Sequence, residues 1–379
     1  MNFRNSGFWS MLLNVAIIFL ALMYVLSAGV MLKGQLSASR YVDFSMYYFS
    51  AIALGRGVDL HNISALENVA GSMGYDIKLY DTPYINSPFH LVLFSPLTFF
   101  SLPTAFILWV LFSHVLLAGA VWLYYLASGR KGVGEFRAEL LILLLFTVSL
   151  SYLMYCGQVT SVLLFLLLLF YYAVKKDSRV LAGVSLGVST MIKPIALIFY
   201  PYLLFKKEFR VLFAALATMA ALVVFTGMTA GWGVTAVFFY RTLVPSSFTS
   251  NILESVLQIS PGLIWLARTV IMSVFIVILY VLCGRAGGTE AKSRFELEYA
   301  LILASTLVLL PRNAYYNYPL LIPVFWILYD RRRDFIVGRR TGYLTSSLLL
   351  LTVQPVIELS FYAVVCLWLL LLYLMFKRR

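Results

Sequence analysis

Long apolar runs dominate the pattern of the chain. Segments such as 140–150 and 159–174 are apolar on every face of a helix, without the polar side that a soluble helix turns toward water. A bilayer suits such runs, because a helix satisfies its own backbone hydrogen bonds there. The pattern therefore predicts an all-α, polytopic transmembrane bundle, with the whole chain, 1–379, forming one membrane domain.

Twelve apolar segments are candidate spans. They lie near 8–32, 104–127, 138–155, 158–174, 180–192, 194–205, 211–232, 264–283, 297–312, 315–329, 341–355 and 357–376. Some are shorter than the roughly 20 residues of a standard span, which local thinning or a cavity at their tips would accommodate. The apolar segment 87–102 is broken at Pro96, and we interpret it as an interfacial or re-entrant helix.

Charge supports this arrangement and orients it. Only 12% of residues are charged, and 29 basic against 16 acidic residues give a net charge of +13. In a soluble protein that excess would suggest nucleic acid, but here the basic residues cluster in short turns between spans, as cytoplasmic loops do. We therefore expect no nucleic-acid partner. The predicted location is a plasma membrane of the bacterial inner-membrane type, crossed several times, with both termini cytoplasmic and membrane lipids around the chain.

Two long outer loops follow from this topology, 33–84 and 233–263. Loops of such length in a compact bundle are usually functional, so we place the active-site face there. Polar residues that interrupt apolar sequence fall on the same side. They are Asp43, Gln158, Lys193, Arg312, Asn313 and Asn317. Ionisable groups at membrane depth are costly, which makes each a candidate site residue.

Lys193 is the most informative of these residues. It has no carboxylate nearby in the sequence, and Pro194 ends the preceding helix at this point. A phosphate would be a suitable partner, since lysine acts as a point charge toward phosphate oxygens and Arg312 or Arg241 would add a bidentate contact. The alternative is a lysine that extends to the membrane interface without binding anything.

Asp43 lies just past the first span, among aromatic residues. Desolvation there would raise the pKa of its carboxyl group and suit it to act as a general base toward a hydroxyl. The alternative is a helix N-cap, since aspartate is a favoured cap. The histidines and the three cysteines lack metal-ligand spacing, and no paired Asp-x-Asp is present, so we expect no metal and no cofactor.

Taken together, the ordered motifs resemble the C-type glycosyltransferases, specifically family 87, the polyprenyl-phosphate-mannose-dependent α-mannosyltransferase type. The residues that carry the resemblance are Asp43 with Tyr47, Ala51 to Gly57, Tyr84 to Phe89, Ser95-Pro96-Leu97, Trp109, Gly157-Gln158, Ala182-Gly183, Lys193-Pro194, Ser250-Asn251, Tyr316-Asn317-Tyr318 and Pro323. They extend over most of the chain.

The resemblance implies a C-type fold with interfacial helices in the first outer loop. It also implies inverting transfer of a hexose, mannose in the family type, from a polyprenyl-phosphate donor to a lipid or glycan acceptor. Asp43 would be the catalytic base, and Lys193, Arg312 and Arg241 would bind the donor phosphate. The remaining expected substrate contacts are Tyr47, Gln158, Asn251, Asn317 and Tyr318.

The chain departs from the family pattern at two places. Asn317 stands where the family's late motif commonly has a histidine, and Ser87-Pro88 stands where paired prolines are frequent. An asparagine forms hydrogen bonds but carries neither proton nor charge. Two other classes of function remain open on the sequence: a transporter or lipid flippase using the same basic groups, and a non-catalytic subunit of the same fold. Transporters commonly show repeats and midplane charges, which this sequence lacks.

Overall fold

The computed structural model describes residues 6–38, 42–76, 87–129, 136–243, 290–309, 314–331, 338–352 and 357–377, with three isolated positions between 270 and 277. Within these ranges the chain is helical and contains no strand. The first half contains α1 (Ser6–Ala38), α2 (Val42–Gly55), α3 (Ile63–Ser72), α4 (Pro88–Phe94), α5 (Leu102–Ser128), α6 (Arg137–Leu145), α7 (Thr147–Cys156) and α8 (Thr160–Lys175). The second half contains α9 (Arg179–Ile192), α10 (Phe199–Phe205), α11 (Phe209–Ala230), α12 (Trp232–Leu243), α13 (Glu290–Leu309), α14 (Ile322–Asp330), α15 (Gly338–Thr352) and α16 (Ile357–Lys377).

Three of the described helices are long and apolar enough to cross a membrane. They cover Ser10–Leu36 in α1, Leu102–Ser128 and Phe209–Ala230, and the pair α6 and α7 would add a fourth if taken as one span. That pair replaces the single predicted span 138–155 and is bent by 63°. These helices identify a helical membrane protein. Several other predicted spans correspond to shorter helices, so the count of twelve is not confirmed. The predicted span 264–283 lies outside the described part except for three isolated positions.

The two predicted outer loops contain more helix than the term loop implies. Segment 33–84 holds the end of α1 and all of α2 and α3, while α12 occupies the start of segment 233–263. Segment 87–102 forms α4 followed by a 3₁₀ helix, Ser95–Phe99, with the break next to Pro96 as predicted. Proline has no backbone N–H to continue the α-helical ladder, which explains the change at this position.

Helices α8 and α9 connect the two ends of the molecule. From Thr160 to Lys175 α8 rises roughly 22 Å, at 1.5 Å per residue, and α9 returns from Arg179 to Ile192. Glycines on α9 allow close packing against α11: a Cβ at Gly183 would lie 2.6 Å from the Val211 carbonyl oxygen, and one at Gly187 would lie 2.7 Å from that of Ala215. Small residues four apart serve such close packing in membrane helices. The return of α9 places Lys193, the next residue, beside the start of α8.

A compact aromatic cluster holds α2 and α4 against this end of the bundle. Phe44 packs edge-on against Phe94 and Phe106, with ring centroids 5.7 and 5.2 Å apart. The cluster also includes buried Val159 and Ile192, which directly adjoin Gln158 and Lys193. The first turn of α2 is therefore fixed beside the connections that follow α7 and α9.

Candidate active site

Asp43 and Gln158 form one half of the candidate site. Asp43 lies in the first turn of α2, and its Oδ2 accepts a hydrogen bond of 2.6 Å from the Gln158 amide Nε2. Burial raises the pKa of the Asp43 carboxyl above its ordinary value, while this hydrogen bond and the charge of Lys193 oppose the rise. Among the described residues, the amide oxygen of Gln158, Oε1, is buried and has no hydrogen-bond partner.

Gly157 makes the contact between α2 and Gln158 sterically possible. It ends α7 in the left-handed conformation, with φ of +64°, a region that favours glycine. A Cβ at this position would lie 2.6 Å from the Phe44 Cβ. The residue thus both turns the chain and leaves room for the residue that follows Asp43.

Lys193 is the centre of the other half of the site. Its backbone is extended, with φ of −141° and ψ of 122°, because the following proline disfavours the helical conformation. Its Nζ donates hydrogen bonds of 3.1 Å to the Thr160 hydroxyl and 3.0 Å to Asn317 Oδ1. It also lies 5.0 Å from the centroid of the Tyr316 ring. These contacts hold the Lys193 ammonium group beside Thr160 and Asn317.

The two halves meet through one short connection. Gln158 binds Asp43, and Thr160, two residues later, binds Lys193. Asp43 and Lys193 interact electrostatically. The direct hydrogen-bond partners of Lys193 in the described structure are neutral oxygens, so its positive charge is not neutralised by a bonded carboxylate. A carboxylate and an ammonium group thus share one site at one end of the bundle.

Three tyrosines extend the Lys193 side of the site. The Tyr316 ring is nearly parallel to Tyr152, at 7° and a centroid distance of 6.2 Å. Tyr152 in turn stacks on Tyr155 at 6.0 Å. All three side chains are partly exposed. Such rings offer flat, amphipathic surfaces beside the charged groups.

The other sequence-predicted residues have varied positions. Asn317 contacts Lys193 directly, whereas the Tyr47 and Tyr318 side chains are buried. Tyr47 packs against His90, with a ring distance of 5.4 Å, and against Phe94 at 4.9 Å. Arg241 lies in the last turn of α12, in the part of that helix whose side chains are outside the described structure. Arg312 and Asn251 also lie outside the described residues.

Sequence reasoning did not select Thr160, Tyr152 or Tyr316 as site residues. Thr160 follows Gln158 by two positions, and Tyr316 precedes Asn317, so proximity to those candidates was an available signal. Tyr152 carried no comparable signal, because it reaches Tyr316 only through tertiary packing. No group of three or more histidine, cysteine, aspartate or glutamate side chains in the described ranges is placed to bind a metal ion.

Fold and site together define a helical membrane protein whose candidate site contains Asp43 and Lys193. The family model described as "Glycosyltransferase family 87" matches residues 84–311, more than half of the chain. The chain therefore belongs to glycosyltransferase family 87, and the family indicates glycosyl transfer. Gln158, Thr160 and Lys193 lie inside the matched segment, whereas Asp43 and Asn317 lie outside it. No curated protein and no solved structure matches the chain.

Proposed function

We propose that this protein is an inverting glycosyltransferase that moves a hexose, in the family type mannose, from a polyprenyl-phosphate donor to a hydroxyl of a lipid or glycan acceptor. The single observation that supports it most is the shared site of Asp43 and Lys193 at the connection 158–160. One group is suited to accept a proton and the other to bind an anion, and both needs arise in this reaction. The reaction is assigned to the extracytoplasmic face by the predicted topology.

In the proposed step, the acceptor oxygen attacks the anomeric carbon as the bond from that carbon to the phosphate oxygen breaks. The Asp43 carboxylate takes the hydroxyl proton, and the lipid phosphate leaves with the bonding electron pair. Desolvation makes the carboxylate a stronger base than it is in water. General-base catalysis of this type contributes about 10²–10⁴-fold to a rate.

The Lys193 ammonium group is proposed to stabilise the phosphate as its charge increases. Fixed donors aimed at developing charge are effective because they need no reorganisation during the reaction. Thr160 and Asn317 provide that fixation through neutral oxygens, so the lysine remains attractive to an anion. Gln158 positions Asp43 with its amide hydrogen, and its buried oxygen is proposed to accept a hydrogen bond from the substrate.

The first test is sugar transfer in membranes that carry the protein. Label should move from a radiolabelled polyprenyl-phosphate hexose to an extracted lipid or glycan. Asp43→Asn should lower transfer by about 10²–10⁴-fold and leave donor binding intact, while Asp59→Asn, at an exposed carboxylate, should leave both unchanged. Full activity of Asp43→Asn would remove the residue from the base role.

The assay also separates the rival classes of function. Label that crosses the bilayer still attached to its lipid would indicate a flippase or transporter. Donor binding without either outcome would indicate a non-catalytic subunit. Lys193→Met should weaken donor binding, with Lys207→Met as the matched control at an exposed lysine at the far end of α10. Equal donor binding by the two variants would contradict the phosphate role of Lys193.

A further inference from the structure

A second charged cluster lies at the opposite end of α8 from Thr160. Lys175, the last residue of α8, forms an ion pair with Glu296 near the start of α13, and Arg331 Nε binds the same carboxylate at 2.6 Å. Two residues along α13, Glu298 pairs with Lys206 at 2.7 Å. This end carries the basic clusters that the sequence assigns to the cytoplasm.

The carboxylates of this cluster already have partners. Both oxygens of Glu296 are used by Lys175 and Arg331, and Glu298 accepts from Lys206 and, at 2.8 Å, from the Tyr202 hydroxyl. Asp330 accepts from the Tyr124 hydroxyl at 2.8 Å. Each carboxylate oxygen of Glu296 and Glu298 therefore already accepts a hydrogen bond.

Arg294 lies one helical turn before Glu298 and so on the same face of α13. Its side chain is 8% exposed, and within the described structure neither Nε nor Nη2 has a hydrogen-bond partner. Arginine stays protonated in proteins, so burial cannot be relieved by loss of a proton. A buried charge without a partner is costly. Two donors of the guanidinium group therefore lack a partner among the described residues, and neither Glu296 nor Glu298 supplies one.

We propose that Arg294 is the centre of a second anion-binding site, which takes a phosphate group from an acidic membrane lipid or from free phosphate. The guanidinium group matches phosphate geometry because it donates two parallel hydrogen bonds. Lys206 pairs with Glu298, which lies one helical turn from Arg294 on α13. Basic pockets between helices on the cytoplasmic side are known to hold acidic head groups.

Exposed apolar side chains lie close to Lys206 in the sequence. Leu204 and Phe209, which flank Lys206 in the sequence, are 51% and 47% exposed. A lipid needs both kinds of group, because its acyl chains contact apolar side chains and its phosphate binds a basic group. The site is about the length of α8 away from the Lys193 centre, and it does not depend on the glycosyl transfer proposed above.

Lipid binding by the full-length purified protein tests the proposal. Occupancy by phosphatidylglycerol and by phosphatidylcholine would be compared by native mass spectrometry, with inorganic phosphate in lipid-free detergent as a third condition. We expect at least about tenfold tighter binding of phosphatidylglycerol, the equivalent of about one charge-assisted hydrogen bond. Arg294→Gln should lose this preference, and Arg210→Gln, at an exposed arginine of α11, should keep it.

Thermal unfolding provides an independent measure. Without any anion, Arg294→Gln should unfold at the same temperature as the unmodified protein or at a higher one, because it removes an unpaired buried charge. A lower unfolding temperature would show that the guanidinium group has an internal partner and would overturn the proposal. Arg294→Lys retains the charge without the paired donors, so it should fold and bind phosphatidylglycerol more weakly; undiminished binding would also count against the site.

The three conditions identify the source of the phosphate. A rise in the unfolding temperature with phosphatidylglycerol alone supports a lipid site. A rise with inorganic phosphate that Arg294→Gln abolishes supports a free-phosphate site. Equal binding of both lipids, together with no effect of phosphate, would reject the anion site.

Discussion

The Gln158 amide donates a hydrogen bond of 2.6 Å to Asp43, a residue 115 positions earlier in the chain. The bond favours the charged form of the carboxyl group, whereas burial disfavours it. Burial is the larger effect, so the pKa of Asp43 lies above its ordinary value. Gln158 therefore adjusts the basicity of the proposed base as well as its position.

The pH dependence of transfer should reflect this balance. A base acts only when deprotonated, so kcat/KM should rise with pH through the pKa of Asp43, and the acidic limb should lie above the usual carboxyl range near 4. Gln158→Met removes a contact that lowers this pKa, and the limb should move to still higher pH. Measurement of kcat/KM from acid to neutral pH checks both statements.

Gln35→Met is the control for that experiment. Gln35 is a buried residue whose side-chain amide donates a hydrogen bond of 2.8 Å to the Tyr155 carbonyl. Tyr155 is close to Gln158 in the sequence, but the bond does not involve Asp43. Its substitution should leave the position of the acidic limb unchanged. A limb that stays fixed in Gln158→Met, or moves toward lower pH, would contradict the proposed effect on Asp43.

Asn317→Asp should weaken donor binding. The new carboxylate would replace a neutral oxygen 3.0 Å from the Lys193 ammonium and pair with it, so the donor phosphate would have to compete. We expect donor affinity to fall by at least about tenfold, which corresponds to about 1.4 kcal/mol. The measurement is the Kd of donor in the absence of acceptor.

Asn62→Asp makes the same chemical change at a helix N-cap. Asn62 accepts from the Ala65 amide at the start of α3, a position where aspartate caps equally well. Donor affinity and unfolding temperature should both be retained in this variant. Tighter donor binding in Asn317→Asp would contradict the claim that Lys193 attracts an anion because its partners are neutral.

Gly157→Ala should separate α2 from the end of α7. A non-glycine residue in the left-handed conformation costs about 1–2 kcal/mol, and the added Cβ would also meet Phe44. We expect a lower unfolding temperature together with loss of transfer. Gly129→Ala is the matched control, because Gly129 has a φ of +73° but no atom of the described residues lies within 4 Å of an added Cβ.

The two glycine variants separate backbone strain from steric displacement. Gly129→Ala should lower the unfolding temperature slightly and leave transfer intact. If Gly157→Ala behaves in the same way, the close approach of Phe44 does not control the position of Asp43.

The predicted topology can be tested by cysteine labelling in a variant without the three native cysteines. Asp59→Cys lies in segment 33–84, and Lys207→Cys lies in one of the basic clusters; both positions are exposed. A membrane-impermeant reagent should label position 59 in intact cells and position 207 only after permeabilisation. The reverse pattern would place the proposed active site in the cytoplasm.

The sequence by itself determined the helical class, the boundaries of long helices such as α5 and the break next to Pro96. Uniform apolar runs permit little besides helices in a bilayer, and proline interrupts the backbone ladder when it stands beyond the first turn of a helix. Asp43, Gln158, Lys193 and Asn317 were also identifiable, because polar residues are conspicuous within apolar sequence. The number of spans was not determined, since hydropathy does not show whether a helix such as α8 crosses the membrane.

Only the tertiary structure decided which of these residues meet. Asn317 and Lys193 are 124 positions apart, and their contact depends on the return of α9 and on a 3₁₀ helix, Tyr315–Leu321, that contains Asn317. Tyr47 illustrates the converse, since the family resemblance implies substrate contact while its side chain packs in the aromatic cluster. Side-chain contacts arise from the packing of whole helices, and a local pattern carries no information on which distant helix lies opposite.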